Sequence, residues 1–319
     1  MGSTSPTSSG PSVVATLRRF LNCYWLRPEN AFWMALRSQA LGAAELAVPG
    51  ADLGCGDGIF TFLHAGGDFD LGFDVFSSVG RLDRVRDDHA DMFDHVEPTY
   101  APCITRRPDT RLAMGADHKQ SMLDKAGALG IYERLVVHDH NLPLPFEDSS
   151  FGSVHCNCAY WVREIDSFLR HVGRILRPDG RALFSVKLAA MKDYTLQRFG
   201  DRLGQRWLAL IDRGRMVSWP SLADRDTWCR RFEGAGFAIE SAVPFITRTH
   251  AHVWDVGLRP IAPLLIKMAN GLTAENRRQV KSEWIGLFCE LLEPLCDPTF
   301  DLFAEPAEPA EILFVLRPR

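Results

Sequence analysis

Two rhythms of apolar and polar positions run through this chain and exchange places in a regular order. Over 13–46 the apolar residues recur at helical spacing and include Phe20, Tyr24, Trp25, Phe32 and Trp33. Arg27-Pro28-Glu29-Asn30 interrupts that stripe, which predicts two helices jointed at the proline. A buried strand then runs into Asp52-Leu53, a turn with glycines at 54, 56 and 58 follows, and Ile59-Phe60-Thr61-Phe62-Leu63 opens a helix that Gly66-Gly67 closes. Strands are predicted again at 135–139, 153–157 and 182–186, with helices from Ser121 to Gly130 and from Ile165 to Leu176 between them. Strand, turn and helix alternate in this way from 48 to 186, the pattern of an α/β sheet with helices on its faces.

The strand after the first helix has two candidates. Leu71-Gly72-Phe73-Asp74-Val75-Phe76 places Asp74 sixteen residues past Gly58, the span of a short helix and a return strand. Arg111-Leu112-Ala113-Met114-Gly115-Ala116-Asp117-His118 lies about forty residues later. Asp117 is favoured because twenty-two residues separate it from Asp139, room for one helix and one strand, whereas the sixty-five residues from Asp74 demand an extra unit. Residues 68–110 then read as an acidic insertion with loops at Pro98, Pro102 and Pro108. Its run Arg86-Asp87-Asp88-His89-Ala90-Asp91 reads as a solvated charged face in preference to a metal site.

Composition narrows the class. At 319 residues, 46% hydrophobic and 24% charged, the chain has core enough for one large or two small domains. A net charge of -4 gives no general pull toward nucleic acid or an anionic membrane. No apolar run is long enough to span a bilayer. Residues 1–12 lack a basic and an apolar region and read as a flexible tail, and Pro6 stands where lipidation of Gly2 asks for Ser or Thr. The cysteines at 23, 55, 103, 156, 158, 229, 289 and 296 match no zinc framework and are expected as reduced thiols in a cytoplasmic protein.

Ligand chemistry concentrates at the glycine turn, where the backbone can approach a ligand closely and accept positive φ. No Gly-Lys-Ser/Thr follows to mark a nucleotide phosphate loop, and Asp52 ahead of the glycines would repel a phosphate while suiting an ammonium. Asp52-Leu53-Gly54-Cys55-Gly56-Asp57-Gly58 resembles the first motif of class I S-adenosylmethionine-dependent methyltransferases, in their type-11-like, small-molecule branch. Further segments resemble that family's markers in the same order. They are Asp117, then Asp139-His140 with Leu142-Pro143-Leu144-Pro145-Phe146 and Ser150-Phe151, and the turn Arg177-Pro178-Asp179-Gly180, which has Asp179 where the family has glycine.

The resemblance implies a Rossmann-like doubly wound sheet of about seven strands, the last of them antiparallel, and S-adenosylmethionine as cofactor. It implies that Asp52, Gly54, Cys55, Gly56 and Gly58 surround the methionine and ribose, that Asp117 meets the ribose and Asp139 and His140 the adenine, and that His118 and Asn157, at the fourth strand's end, also bind the cofactor. Residues 226–240 are similar to the family's late helix and sixth strand, and 311–316 to its seventh. The helices over 13–47 are expected either to pack on the core or to form a lid whose Tyr24 or Arg27 meets the methionine carboxylate.

The remaining chain gives a core over 48–248 and 310–319, and a cap over 249–309 whose apolar helical stripes at 260–268 and 280–292 wall a pocket for a small-molecule substrate and could also form a homodimer face. Tyr160, with Trp161, follows the fourth strand and is expected at the methyl-transfer point; Glu164, one helical turn on, and His252 are the candidate proton acceptors. An H-x-H pair of His138 and His140, or His250, His252 and Asp255, would be the alternative places for a metal, and no metal is assigned. The function expected is methyl transfer to a small organic acceptor at O, C or N. The alternatives are an S-adenosylmethionine-binding relative with another reaction, an NAD-binding oxidoreductase, and a silent binding subunit.

Overall fold

The computed structural model describes residues 12–42, 47–77, 79, 94–96, 100–212, 218–256 and 258–319. The tail over 1–11 and the run Arg86–Asp91 lie outside the described residues. Helices α1 (Val13–Tyr24) and α2 (Pro28–Leu41) meet at the expected joint, with Pro28 in the first turn of α2, where its missing N–H costs nothing. Next come β1 (Gly50–Leu53), α3 (Ile59–His64), and a two-stranded antiparallel ribbon of β2 (Asp68–Phe69) and β3 (Ile104–Arg106). They are followed by β4 (Leu112–Asp117), α4 (Gln120–Leu129), β5 (Tyr132–Val137), β6 (Phe151–Cys156), α5 (Ile165–Ile175) and β7 (Leu176–Lys187). After short helical turns between 191 and 212 come α6 (Arg225–Gly234), β8 (Phe237–Ile246), α7 (Arg248–Val256), α8 (Ala262–Asn270), α9 (Ala274–Leu292) and β9 (Glu311–Pro318).

Seven strands form one sheet in the order β5-β4-β1-β6-β7-β9-β8. The first five are parallel, and β9 slots between β7 and β8 antiparallel to both. The order reverses between β1 and β6, so the carboxyl edge there carries the crevice where doubly wound sheets bind ligands. Period two divides the side chains between two cores. Ala51, Leu53, Val154, Cys156, Phe184, Ile312 and Phe314 face α5 and α6, while Leu183, Leu313 and Val315 face the layer of α1 to α4 and α7 to α9.

The second strand is the later candidate: β4 ends at Asp117 and pairs with β1. Asp74 is instead a clamp. Its carboxylate accepts from Trp25 Nε1 at 3.0 Å, from Arg277 at 2.9 Å and from the Phe76 and Ser77 amides, tying α1 and α9 to the ribbon's turn. Two strand boundaries also differ. β5 ends before His138, and β7 begins at Leu176, carrying the expected turn 177–180 as a bulge where the pairing jumps from Phe151–Leu176 to Ser153–Arg181. Among the described residues no helix is long and apolar enough to cross a membrane.

Candidate active site

The glycine turn hangs from the end of β1 and is stitched to its neighbour: the Gly54 and Cys55 amides both donate to Ala116 O, at 2.8 and 3.0 Å. Gly54, Gly56 and Gly58 all have positive φ, +80°, +56° and +75°. Their surroundings differ. A Cβ on Gly54 would stand 2.5 Å from Cys158 Sγ, and one on Gly58 3.2 Å from Ala126 Cβ, so both turns are packed by protein. Among the described residues a Cβ on Gly56 would meet nothing within 4 Å, so this glycine faces open space. Asp117 reaches the same point: Oδ2 accepts from the Gly56 amide at 3.1 Å and Oδ1 from the Lys119 amide at 3.0 Å. His118 lies beside it, exposed, with Nδ1 3.3 Å from Asp117 Oδ1.

Asp139 is exposed one strand further out, its carboxyl held below the usual range by bonds from the Asn141 amide and side chain. His140 is buried against Phe168, and among the described residues neither ring nitrogen has a partner; His138 Nε2 has none either. Burial drives the His140 imidazole down to about 4, which keeps it neutral. A neutral buried imidazole such as His140, with both nitrogens unpartnered among the described residues, is a group that a ligand's donors and acceptors would satisfy. Cys55 is buried with its thiol pushed up by burial, and Asn157 is half-buried at the end of β6.

Asp52 departs from expectation. Its neighbours on β1, Ala51 and Leu53, face one core, so strand alternation turns Asp52 into the other, 2% exposed. There it accepts from Thr61 Oγ1 at 2.5 Å and Tyr132 Oη at 2.7 Å, and stands 3.2 Å from His155 Nδ1. It therefore bolts α3 and β5 behind the turn and has no free face for an ammonium. Burial raises its carboxyl, but the bonds from His155, Thr61 and Tyr132 hold it below the ordinary range. Asp52→Asn is expected to cost about 1–3 kcal/mol in a urea melt, the penalty for leaving buried donors and acceptors mismatched. A loss of no more than a few tenths would show that these bonds are idle.

Arg27 also turns inward, its guanidinium bonded to Glu29 and to Asn30 Oδ1. Helix α1 reaches the turn through another residue: Tyr24 Oη donates to Asp57 Oδ2 at 3.4 Å, while Asp57 Oδ1 caps α3 at the Ile59 amide. Burial raises the Asp57 carboxyl.

The catalytic candidates stand in three environments. Tyr160 is buried in a short turn after β6, against Trp161 and Trp219. Glu164 is exposed at the start of α5, with its amide on Asn141, and no hydrogen bond joins it to Tyr160 among the described residues. His252 Nδ1 meets Tyr194 O at 2.6 Å, His250 spends both nitrogens on Thr247 and Leu295 O, and Asp255 accepts from the Leu196 amide. These three do not converge on a metal, and among the described residues no group of His, Cys, Asp and Glu does.

Residues that the local pattern did not single out gather beside Tyr160. Lys187, the last residue of β7, pairs across the sheet with Glu311, the first of β9, Nζ to Oε2 at 2.8 Å. Glu311 also accepts from Trp33 Nε1 at 2.6 Å and Arg37 Nη2 at 2.7 Å. The signal that could have found them is polarity at the two ends of otherwise apolar strands, where a charge is affordable only if paired.

Residues 25–242 match a methyltransferase domain family. Among curated proteins none matches the chain. Among solved structures it is similar to an S-adenosylmethionine-dependent methyltransferase from Thermotoga maritima described as a possible histamine N-methyltransferase, at 12% identity over 96% of this chain and 99% of that one, TM-score 0.47. The SpnF cyclase aligns at 15% identity over 89% and 80%, TM-score 0.45, and a geranyl diphosphate methyltransferase in complex with S-adenosylmethionine at 10% over 92% and 90%, TM-score 0.44.

Proposed function

Since the chain belongs to the methyltransferase domain family, class I enzymes that use S-adenosylmethionine, we propose that it methylates a small, partly apolar organic acceptor at oxygen, carbon or nitrogen. The observation that carries this reading is the turn itself: three left-handed glycines, open space at the middle one, and the Asp117 carboxylate on that glycine's amide. These groups fit the cofactor. Gly56 leaves room for its methionine and ribose portion, Asp117 offers a carboxylate to ribose hydroxyls, and Asp139 with the unpartnered His140 offers acceptors and a donor to adenine. When bound, S-adenosylmethionine supplies a methyl group on a sulfonium sulfur, which keeps the bonding pair as the acceptor's lone pair takes the carbon.

The protein's part is to align the two reactants and exclude water. We assign Tyr24 of α1 and Tyr160 after β6 to the walls of the crevice, the first because it bonds to the glycine turn and the second because it follows β6 and is backed by aromatic rings. Asp117→Ala is expected to weaken S-adenosylhomocysteine binding ten- to a hundredfold by calorimetry, about 1.5–3 kcal/mol for bonds to a charged group. Unchanged affinity would remove Asp117 from the cofactor. For the chemistry, Tyr160→Phe is expected to lower kcat, whereas Glu164→Gln and His252→Asn leave it within about threefold, a change too small for a lost general base. A large drop in either would restore it as the proton acceptor.

A screen of metabolites with labelled methyl donor tests the function directly. Methylated product with S-adenosylhomocysteine binding supports it, and NAD binding with no S-adenosylhomocysteine binding would replace it by the oxidoreductase reading. The unpaired cysteines suit a reducing, cytoplasmic setting. The exposed Val280, Leu287 and Leu291 on α9 are the face we would test first for a homodimer.

A further inference from the structure

Helix α8 is apolar on both sides. The face it turns inward carries Ala262, Pro263, Ile266 and Ala269, and the face it turns outward carries Leu264 and Met268, with Ile261 just ahead of them. Lys267 is its one charged residue, and residues 259–272 contain no Asp or Glu. A helix that is apolar all round belongs in a core or against lipid. Here one side of it faces out of the protein.

The turn Arg259–Ile261 that leads into α8 lies against the short helix Gln205–Asp212. That helix repeats the pattern, with Leu208 buried beneath it and Trp207 and Leu210 outside. The five outward side chains at 207, 210, 261, 264 and 268 are between 39% and 70% exposed. Single exposed leucines are ordinary, but a group of them on two neighbouring elements marks a contact surface. Leu203, Arg206, Trp207 and Leu210 line one open hollow on it. Arg198, Arg202, Arg206 and Lys267 are exposed as well, against Asp201 as the single exposed carboxylate over 196–212 and 259–272. Tryptophan and long basic side chains beside an apolar face are the residues that settle at the headgroup level of a bilayer. A protein partner would need polar groups to fix its register, roughly one hydrogen bond per 100–200 Å², and over 261–268 only Lys267 has a polar side chain. A fluid acyl boundary asks for no register.

We propose that this face docks on an anionic lipid surface: Trp207, Leu210, Ile261, Leu264 and Met268 enter the boundary between headgroups and acyl chains, and Arg202, Arg206 and Lys267 meet the lipid phosphates. The net charge of -4 supplies no such attraction, so the binding is local to this face and weakens with salt. It is independent of the methyltransferase reading.

The full-length protein is sedimented with vesicles of phosphatidylcholine alone and with vesicles holding about one part phosphatidylglycerol to two of phosphatidylcholine. The expected result is that the wild type pellets with the mixed vesicles about tenfold more strongly than with phosphatidylcholine alone. The pair Trp207→Ser and Met268→Ser is expected to lose about tenfold of that binding, and the pair Arg202→Gln and Arg206→Gln to lose the preference for the anionic lipid. Both pairs change exposed positions, and thermal melts check that they fold as the wild type does. Should the serine pair unfold, Leu264→Ser alone is read in its place. A wild type that stays in the supernatant with both vesicles overturns the proposal, as does binding that the serine substitutions leave unchanged. If sedimentation velocity shows that the serine pair turns a dimer into a monomer while the wild type ignores vesicles, the face belongs to a second copy of the chain and the proposal fails.

Discussion

Replacing Glu311 by alanine is expected to destabilise the protein by about 3–5 kcal/mol, the cost of removing one partner from a buried ion pair. The side chain is fully buried and serves three donors, Trp33, Arg37 and Lys187. Without it the Arg37 guanidinium and the Lys187 ammonium stay buried beneath α2 and α7 and lose the carboxylate they share. Burial alone would raise the Glu311 carboxyl, but Arg37 and Lys187 outweigh it and hold it at about 2, against an ordinary 4.5. A carboxyl depressed in the folded state contributes stability that is fully present above about 4.5 and is lost as the pH falls toward about 2. Glu311→Gln lacks that proton, so the stability gap between it and the wild type should shrink across this window by about 3 kcal/mol. Urea melts at pH 6 and in the acid range measure both effects. A gap that does not change with pH would mean that folding leaves the proton affinity of the Glu311 carboxyl unchanged.

Gly54→Ala is expected to cost about 2–5 kcal/mol and to abolish S-adenosylhomocysteine binding, and Gly56→Ala to separate those two effects. At position 54 a methyl group meets two penalties: a φ of +80°, and contacts of 2.5 and 2.7 Å with the Cys158 side chain. The left-handed backbone costs about 1–2 kcal/mol for a residue with a Cβ and overpacking about 1–3 more. At position 56 the φ of +56° exacts the first penalty only, because no described residue stands within 4 Å. Thermal melts should therefore show Gly56→Ala within about 2 kcal/mol of the wild type, while calorimetry shows its affinity for S-adenosylhomocysteine reduced at least tenfold. Full affinity in Gly56→Ala would mean that the open space beside the turn is not where the ligand lies.

The features that could be read from the chain are those with local causes. The order of strands and helices, the jointed helices at Pro28, the glycine turn and the choice of Asp117 over Asp74 all follow from spacing and periodicity. What could not be read depends on partners far away. Asp52 stands two positions before Gly54, and whether it faces the crevice or the core depends on Tyr132 and His155, eighty and more residues on, which receive it. Asp74 has its ion partner at Arg277, some two hundred residues away. Lys187 draws its surroundings from residues 33, 37, 160, 219, 254 and 311. Two boundary errors have another cause: the β5 ladder stops where the His138 amide turns to Asp117 O, and the β7 ladder continues through a turn by bulging.

Because β9 lies between β7 and β8, the sheet cannot be finished in the order in which the ribosome makes it. The strand over 237–246 emerges with no neighbour to bond to and must wait until 311–318 has been translated and inserted, a delay of several seconds at ordinary elongation rates. Over the same interval Lys187 is without Glu311. A nascent chain halted before residue 311 would therefore present an open sheet edge, and chaperones that recognise unpaired strands are expected to hold it until the final strand arrives.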